Sequence, residues 1–367
     1  MGPPKRQSAQ RPVPTVRPSS VEFQSLPDSQ RFFSSLDFLG ASSNGKYRFV
    51  GAEGGSAAGS PKIAQFTLDS KKKQFEIQES HEFSRGDGVP ILASSYHPSA
   101  SQGFASDFQG VVRTPGRLWF LDQLNSAIVE TTESGKWLNR YLPKGVGGPG
   151  VQVLPGRYRE VGFGGMAYSD GKIALSVRET LAPPTALSER ALGRVLKFDV
   201  FSRRVVGEFL FVRSDKNSVI HGATALGRDR WLILENDQVY RLTLRNLPSL
   251  KETLGSTDPL YWEKLGYPGV ERRGVRIAKK ESVFDLKEMG EQGPSKVSGF
   301  SLVGFDKLAI IGHNRTESNP GLWIVQLPGR TLAGSEPLSV PWMKDQWTKL
   351  PTIKLIPSPP PTLSSGL

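Results

Sequence analysis

Several acidic and histidine residues stand where predicted strands end, at matched places in a repeated pattern. The catalytic candidates are Asp107, Asp122, Glu179, Glu235, His221 and His313. Carboxylates that converge could hold Ca²⁺, which takes about six to eight oxygen ligands, or could supply a general acid and base. Histidines that face a common cavity could bind an anion or relay a proton. The four carboxylates are therefore also weak metal candidates.

Other motifs that imitate known sites fail on their chemistry. Residues 145–150 match the glycine pattern of dinucleotide sites, but Pro149 removes an N–H and no helix follows. Residues 40–46 imitate a phosphate loop, but Tyr47 replaces the hydroxyl that would hold magnesium. No Gly-x-Ser-x-Gly sequence supports a serine hydrolase of the doubly wound class. The absence of cysteine excludes disulfides, thiolate metal sites and a cysteine nucleophile.

The elements that must position the candidates belong to a repeat of apolar stretch, tight turn and strand. Its copies lie at 107–123, 163–179, 220–236 and 297–314, with a fainter copy at 35–53. A spacing of about 55 to 75 residues is typical of stacked sheets or propeller blades. Predicted hairpins follow most copies, as at 63–77 and 195–210. A copy plus its hairpin makes four strands, so the sequence predicts an all-β β-propeller of about five to seven four-stranded blades.

The 367 residues divide into three predicted parts. Residues 1–30 are rich in Pro, Arg and Ser and are predicted to be a flexible arm. Residues 31–356 are predicted to form the propeller as a single domain, and residues 357–367 a Pro- and Ser-rich tail. No run of about 18 apolar residues indicates a membrane span, and residues 1–30 lack the apolar core of a signal peptide.

The formal net charge of +12 raises the question of an anionic partner. A solvated surface is one interpretation, and a docking face for an acidic protein, an anionic lipid surface or a phosphorylated ligand is the other. The predicted patch for an acidic partner comprises Arg272, Arg273, Arg276, Lys279 and Lys280. This segment lies between the third and fourth copies and is expected to project from a blade. No motif supports sequence-specific nucleic-acid binding.

The ordered set of motifs resembles the bacterial phytase-like family, also described as "esterase-like activity of phytase". Residues 107–123 are similar to its Asp-x-Glu-Gly signature and to the following strand that ends in Asp-Glu. Residues 163–171 are similar to Phe-Glu-Gly-Leu-Ala with Pro-Asp-Gly, and residues 231–237 to Leu-Val-Leu-Glu-Arg-Asp. The resemblance covers roughly residues 33–328. It implies a β-propeller, usually exported, that hydrolyses phosphate esters or other esters.

The chain departs from that family at its acidic positions. Where the family has Glu before the motif glycine, this sequence has Gln109, Gly164, His221 and Ser298. The joint loss indicates a weakened or absent metal site, which leaves Ca²⁺ doubtful and no other cofactor certain. The alternative is that these positions are structural turns that tolerate change, and that each histidine is simply hydrogen-bonded.

Two functions of different classes remain open. The first is a non-catalytic or catalytically weakened binding or scaffold subunit that docks on an acidic protein partner or a larger complex. The lost carboxylates, the absent nucleophile motif and the Pro-rich termini favour it. The second is a hydrolase of phosphate or carboxylic esters acting at the central face, which would take an anionic small molecule. The family implies export to a periplasm, a lumen or the cell exterior, and the missing signal peptide leaves the cytoplasm open.

Overall fold

Short runs of aliphatic, β-branched and aromatic residues, separated by turns rich in Gly, Asp and Asn, fold into antiparallel strands. This computed structural model describes residues 16–26, 32–41, 45–54, 61–84, 92–93, 105–106, 108–123, 126–143, 162–182, 184–186, 190–250, 260–304, 306–315, 320–328 and 332. The first strands are β1 (Ser20–Ser25), β2 (Phe32–Phe33), β3 (Asp37–Ala41), β4 (Lys46–Gly54), β5 (Lys62–Asp69), β6 (Gln74–Glu82), β7 (Leu92–Ala93), β8 (Ala105–Ser106), β9 (Phe108–Thr114), β10 (Arg117–Asp122), β11 (Ala127–Thr131) and β12 (Trp137–Tyr141).

The second half of the chain continues the same pattern. Its strands are β13 (Phe163–Ser169), β14 (Lys172–Val177), β15 (Leu192–Asp199), β16 (Arg204–Val212), β17 (Ile220–Gly227), β18 (Arg230–Glu235), β19 (Gln238–Thr243), β20 (Lys279–Asp285), β21 (Pro294–Leu302), β22 (Lys307–Asn314) and β23 (Pro320–Gln326). A helix, α1 (Tyr261–Arg272), precedes β20, and a 3-10 helix (Leu286–Gln292) follows it. In the described part of the chain, no helix is long and apolar enough to cross a membrane.

All of these strands except β7 and β8 form five antiparallel sheets, which are the blades of a propeller, and β7 and β8 pair with each other in parallel. Blade 1 contains β3–β6, with β2 pairing on the same side of β4 as β3. Blades 2, 3 and 4 contain β9–β12, β13–β16 and β17–β20, and blade 5 contains β21–β23 with β1. The predicted all-β propeller is confirmed, and its five blades fall within the predicted range of about five to seven.

The N-terminal strand β1 completes blade 5. It pairs antiparallel with β23 along all six of its residues, and the ring of Phe23 lies 5.0 Å from that of Trp323. Residues 20–25 fall within the range predicted to be a flexible arm, so the structure corrects that prediction for them. The alternation of Val21 and Phe23 with polar residues gives β1 one apolar face, which packs against the core of blades 4 and 5. Residues 1–15 and 357–367 lie outside the described residues.

A buried apolar cluster fills each junction between neighbouring blades. At the junction of blades 5 and 1, Ile311 and Ile324 pack with Phe49 and Phe66. Each such buried side chain contributes about 1.5–3 kcal/mol relative to an exposed one. Because this cluster joins the last blade to the first, apolar burial together with β1 closes the ring.

The innermost strands run parallel to one another. The hydroxyl of Ser34 donates to the carbonyl of Phe108, and further along both strands Arg113 N–H donates to Asp37 at 2.9 Å. We name the face where the innermost strands begin the upper face. Each second strand ends there because it is antiparallel to the first. The turns between first and second strands, and between third and fourth strands, lie on the opposite, lower face.

The segment between β19 and β20 folds back onto blade 3. Val270 and Val275 form a buried cluster with Leu192 and Leu210 of that blade. The side chain of Arg194 in β15 reaches Glu263 of α1. The insertion therefore packs against the neighbouring blade, which corrects the expectation that it projects from the propeller.

Candidate functional site

The strand topology places the predicted site residues at the upper ends of their blades. Gln109 and His221 are the second residues of β9 and β17. At or near the ends of second strands lie Asp122, Glu179, Glu235 and His313. Asp107 lies outside the described residues. The blades thus bring six of these positions to one face, but their side chains differ in what they contact.

Two of the predicted carboxylates are sealed inside the protein. Asp122 has no exposed surface, and Glu235 retains only 1%. Asp122 ends β10 opposite Phe108, which is itself buried. Neither carboxylate is open to a ligand that approaches from solvent.

Glu235 lies at the centre of a hydrogen-bonded cluster between blades 3 and 4. It accepts from the N–H of Ser214 at 3.0 Å, from the hydroxyl of Ser218, and from the ammonium group of Lys280. The guanidinium of Arg213 lies 3.9 Å away. Burial raises the pKa of Glu235, but the charge and hydrogen bond of Lys280, the Ser218 hydroxyl and the charge of Arg213 together hold it below its usual value. The carboxylate therefore stays ionised and already has partners.

The structure removes Lys280 from the predicted docking patch, because its side chain is buried in an ion pair. Its side chain is 9% exposed, pairs with Glu235 and lies 4.0 Å from the ring centroid of Tyr240. Burial lowers its pKa, and the neighbouring carboxylate opposes that shift. The sequence shows a run of cations here, yet β20 turns Lys280 inward while Lys279 stays on the surface beside Glu281.

The rest of that patch lies at the end of α1 and in the residues after it. Arg272, Arg273 and Arg276 are exposed. Arg273 lies over the ring of Tyr261, 5.6 Å from its centroid. Docking of an acidic partner on these residues and Lys279 remains a prediction.

The described members of the predicted metal set, Asp122, Glu179 and Glu235, do not come together as a metal site. Among the described residues, no group of three or more His, Asp or Glu side chains is arranged to hold a metal ion. Glu235 is engaged by cations, Asp122 is enclosed, and Glu179 is half-exposed beside Arg178 at 3.8 Å. The physical reason is that the carboxylate of Glu235 is surrounded by cations and serines rather than by further acidic side chains.

His221 lies in a positively charged setting at the upper face. The imidazole is half-buried, and burial is the largest cause of its lowered pKa. The charge of Arg178 from blade 3 lowers it further, Asp237 opposes the shift, and Lys296 from blade 5 adds to it. His221 is therefore a neutral imidazole at pH 7, and the charges of cations from the two neighbouring blades act on it.

Arg178 is fixed by backbone contacts that the sequence does not reveal. Its carbonyl accepts from Ile220 N–H at 2.8 Å and from the guanidinium of the fully buried Arg213 at 2.7 Å. The pairing of Arg178 with Glu179 is loose and largely exposed, so it contributes little. The backbone is held firmly while the guanidinium remains accessible to a ligand.

The strand packing explains one of the lost acidic positions. A Cβ at Gly164 would lie 2.0 Å from the carbonyl oxygen of Ile220, and one at Gly165 would lie 2.7 Å from Gly222. No side chain fits where the resemblance expects Glu. The innermost strands of blades 3 and 4 approach each other too closely for one.

His313 does not mirror His221, although the sequence places both in equivalent copies. His221 is on an innermost strand, whereas His313 is on the second strand of blade 5, paired across from Lys296. Sequence reasoning singled out neither Arg213 nor Lys296 as a functional residue. The only signal for Lys296 is its place just ahead of the glycine motif of the fourth copy.

A second polar cluster lies deeper, towards the lower face. Asp37 accepts from the N–H groups of Arg113 and Phe38 at 2.9 and 3.0 Å, and from the hydroxyl of Ser301 at 3.4 Å. Its carboxyl joins the innermost strands of blades 1, 2 and 5. Burial raises the pKa of Asp37 to about 7 despite these hydrogen bonds.

Comparisons with known proteins leave the family open. No protein-family model matches the chain, and no curated protein matches it. Among solved structures, a protein assigned as a 6-phosphogluconolactonase of Bacteroides uniformis is similar, with 10% identity, a TM-score of 0.31, and coverage of 83% of this chain and 73% of that one. The arabinanase Arb43A of Bacillus subtilis is similar with 10% identity, a TM-score of 0.40, and coverage of 82% and 94%. At these TM-scores neither similarity supports a function for this chain, and the resemblance to the phytase-like family stays a prediction.

Proposed function

We propose that this propeller binds a small anionic ligand, a phosphate ester or a carboxylate, on its upper face between blades 3, 4 and 5. The binding groups are Arg178, His221 and Lys296. One observation carries the proposal: the N–H of Ile220, next to His221, donates to the carbonyl of Arg178 at 2.8 Å, and the charges of Arg178 and Lys296 both add to the lowering of the imidazole pKa that burial causes, while Asp237 opposes it. An anion placed there gains from both charges.

The chemistry of the three side chains suits such a ligand. A guanidinium presents a planar fork of N–H donors that matches phosphate and carboxylate oxygens, and Lys supplies a compact charge. The weak contact between Arg178 and Glu179 can yield to a ligand without a large loss. The sequence left an anionic small molecule open as a ligand, and this proposal develops that possibility.

His221 also supports hydrolysis as a second candidate function. Because its pKa is lowered, the imidazole is free to accept a proton at pH 7. It could take a proton from water that attacks an ester held by Arg178 and Lys296, and the imidazolium so formed could give that proton to the alcohol that leaves as the ester bond breaks. This corresponds to the ester hydrolase predicted as the alternative from sequence.

Calorimetric titration with inorganic phosphate and with p-nitrophenyl phosphate tests the binding proposal. Arg178→Gln and Lys296→Gln should each weaken binding roughly tenfold or more, since hydrogen bonds to charged groups contribute about 1.5–3 kcal/mol. Arg228→Gln, which removes an exposed arginine from the lower face, is the matched control and should bind like the parent. Equal affinities in all three variants would contradict the proposal.

The hydrolase candidate needs a separate measurement. Turnover of p-nitrophenyl phosphate or p-nitrophenyl acetate that is lost in His221→Asn, while phosphate still binds, supports catalysis by His221. Turnover that is unchanged in this variant rejects that role. Absence of turnover in the parent, with binding intact, leaves the non-catalytic binding protein as the function.

A further inference from the structure

On the lower face, hydrogen bonds join neighbouring turns of the same blade. In blade 1 the Ser70 hydroxyl donates to the carbonyl of Gly45, and in blade 3 the N–H of Val200 donates to the carbonyl of Gly171. These contacts hold the turn after each third strand against the turn after the first strand. Turn tips from several blades therefore point away from the same side of the propeller.

The acidic residues of these turns are used within the turns themselves. In blade 1 an Asp69 oxygen accepts from the N–H groups of Lys71 and Lys72, both at 3.1 Å. In blade 3 Asp199 accepts in the same way from Phe201 and Ser202 at 3.0 and 2.8 Å. These hydrogen bonds fix the turns and direct the carboxylates inward.

The cations of the same turns remain exposed at the tips. The fifth residues of the two turns, Lys73 and Arg203, share a left-handed backbone with φ of 52° and 56°. The exposed cations are Lys71, Lys72, Lys73, Arg203, Arg204 and Arg228. Of the acidic turn residues that the structure describes on this face, Asp170 is exposed, and Asp69 and Asp199 are largely covered. The other three, Glu133, Asp229 and Asp306, contact Arg113, Lys197 and Gln326 respectively. The face therefore presents an excess of positive charge.

An aromatic side chain stands among these cations. Phe201 is 83% exposed, and its ring lies over the backbone of Gly171 in the adjoining turn. Arg203, two residues later, lies over the ring of Tyr141, 5.9 Å from its centroid, and 3.5 Å from the carboxylate of Glu130, while about half of its side chain stays exposed. A phenyl ring at a tip with arginines beside it presents an apolar group and positive charge in the same direction.

We propose that the lower face docks on an anionic lipid bilayer, with Phe201 entering the interfacial region and the surrounding lysines and arginines contacting the headgroups. The cations come from the tips of turns in blades 1, 3 and 4, an arrangement that suits a broad surface better than a pocket. Basic residues near such a surface add attraction that depends on anionic lipid, and a phenylalanine adds apolar burial. This surface is separate from the anion site on the upper face.

Sedimentation with sucrose-loaded vesicles tests the proposal on the full chain. Vesicles of phosphatidylcholine alone are compared with vesicles that contain phosphatidylserine, at low and high salt. Binding should require phosphatidylserine and fall with salt, because the Debye length shrinks from about 10 Å at 0.1 M to about 3 Å at 1 M. Arg203→Ser with Arg204→Ser should weaken partition by roughly fivefold per residue, which corresponds to about 1 kcal/mol each.

A matched control removes two exposed lysines from the upper side. Lys216→Ser with Lys287→Ser has the same change in net charge and should partition like the parent. Phe201→Ser should weaken binding roughly tenfold without a change in thermal unfolding, because the Asp199 turn remains intact. The proposal is overturned if sedimentation does not depend on phosphatidylserine. It is also overturned if the control variant loses as much vesicle binding as the variant with Arg203→Ser and Arg204→Ser. Capture on immobilised polyaspartate without vesicle binding assigns this face to an acidic protein and also overturns it.

Discussion

Replacement of Arg194 by Met tests the buried ion pairs that fasten α1 to blade 3. The guanidinium donates twice to Glu263 at 2.7 Å and once to Glu208 at 2.5 Å. All three side chains are at most 2% exposed. Removal of the arginine leaves two carboxylates buried without their cation, and loss of one partner of a buried pair costs about 3–5 kcal/mol. That is a large part of the roughly 5–15 kcal/mol by which domains are stable.

The pH dependence gives the prediction a second signature. Burial raises the pKa of Glu263 even in the presence of Arg194. Because the pKa of Glu263 is higher in the native protein than in the unfolded protein, its contribution to stability is complete below the unfolded pKa. That contribution is lost as the pH rises through the native pKa. Without Arg194 the carboxylates should protonate more readily. The deficit of Arg194→Met should therefore be largest near pH 7 and shrink on acidification.

Urea unfolding monitored by tryptophan fluorescence, at pH 7 and at pH 5, measures both effects. Arg194→Met with Glu208→Gln and Glu263→Gln is the control, because it removes the uncompensated charges as well as the cation. The triple variant should recover much of the stability at pH 7. A deficit below about 1 kcal/mol in the single variant, or one that is the same at both pH values, would refute the reasoning.

Three further changes test other parts of the structure. Asp37→Asn should flatten the pH dependence of unfolding. The native pKa of about 7 lies above the usual pKa of an aspartate, so the parent loses stability as the pH rises from the usual value to the native one, and a parent with no such loss contradicts the assignment. Deletion of residues 1–25 should lower the melting temperature and cause association on size-exclusion chromatography, because β23 loses its outer neighbour β1 and becomes an exposed edge strand. A monomer with an unchanged melting temperature would show that β1 is dispensable. Lys280→Met should destabilise the protein more at pH 7 than at pH 4. The lowered pKa of Glu235 gives stability that is present above the usual pKa of a glutamate and is lost as the pH falls through the native pKa. Equal destabilisation at both pH values would count against the ion pair between Lys280 and Glu235.

The blades could be predicted because their signals are local. Each first hairpin places a tight turn between two apolar strands, as at 114–117 and 169–172, and the structure has antiparallel pairs at both. Glycine and aspartate in these turns take left-handed conformations that few other residues adopt, as at Gly116 and Asp170. A repeat of such units predicts the propeller without knowledge of any contact between blades.

The closing strand could not be predicted because its partner is distant. Ser19 and Gln326, which meet at the seam, are separated by 307 positions. Nothing in a Pro- and Arg-rich opening indicates that Val21 and Phe23 belong to the last sheet. Pairing of this kind depends on the completed ring, which the local sequence does not encode.

Repeat symmetry indicates where in the blades the candidate residues lie, but not what their side chains contact. Repeat symmetry places Glu235 and His221 on the upper face, yet it does not show that Lys280, 45 positions away, reaches Glu235. That contact depends on the pairing of β20 with β19 and on the packing of the preceding insertion against blade 3. A run of basic residues is typical of a solvated surface, so its one buried member has no signal in the sequence.

The most direct test of the proposed anion site is an NMR pH titration of His221 in the presence and absence of inorganic phosphate. The imidazole signal is assigned with His221→Asn. The account predicts a pKa below the usual histidine value in the free protein, because burial and the charge of Arg178 disfavour the imidazolium. It also predicts a saturable rise of that pKa as phosphate binds, since the negative charge stabilises the protonated ring. A His221 pKa that phosphate leaves unchanged at every concentration would contradict the anion site.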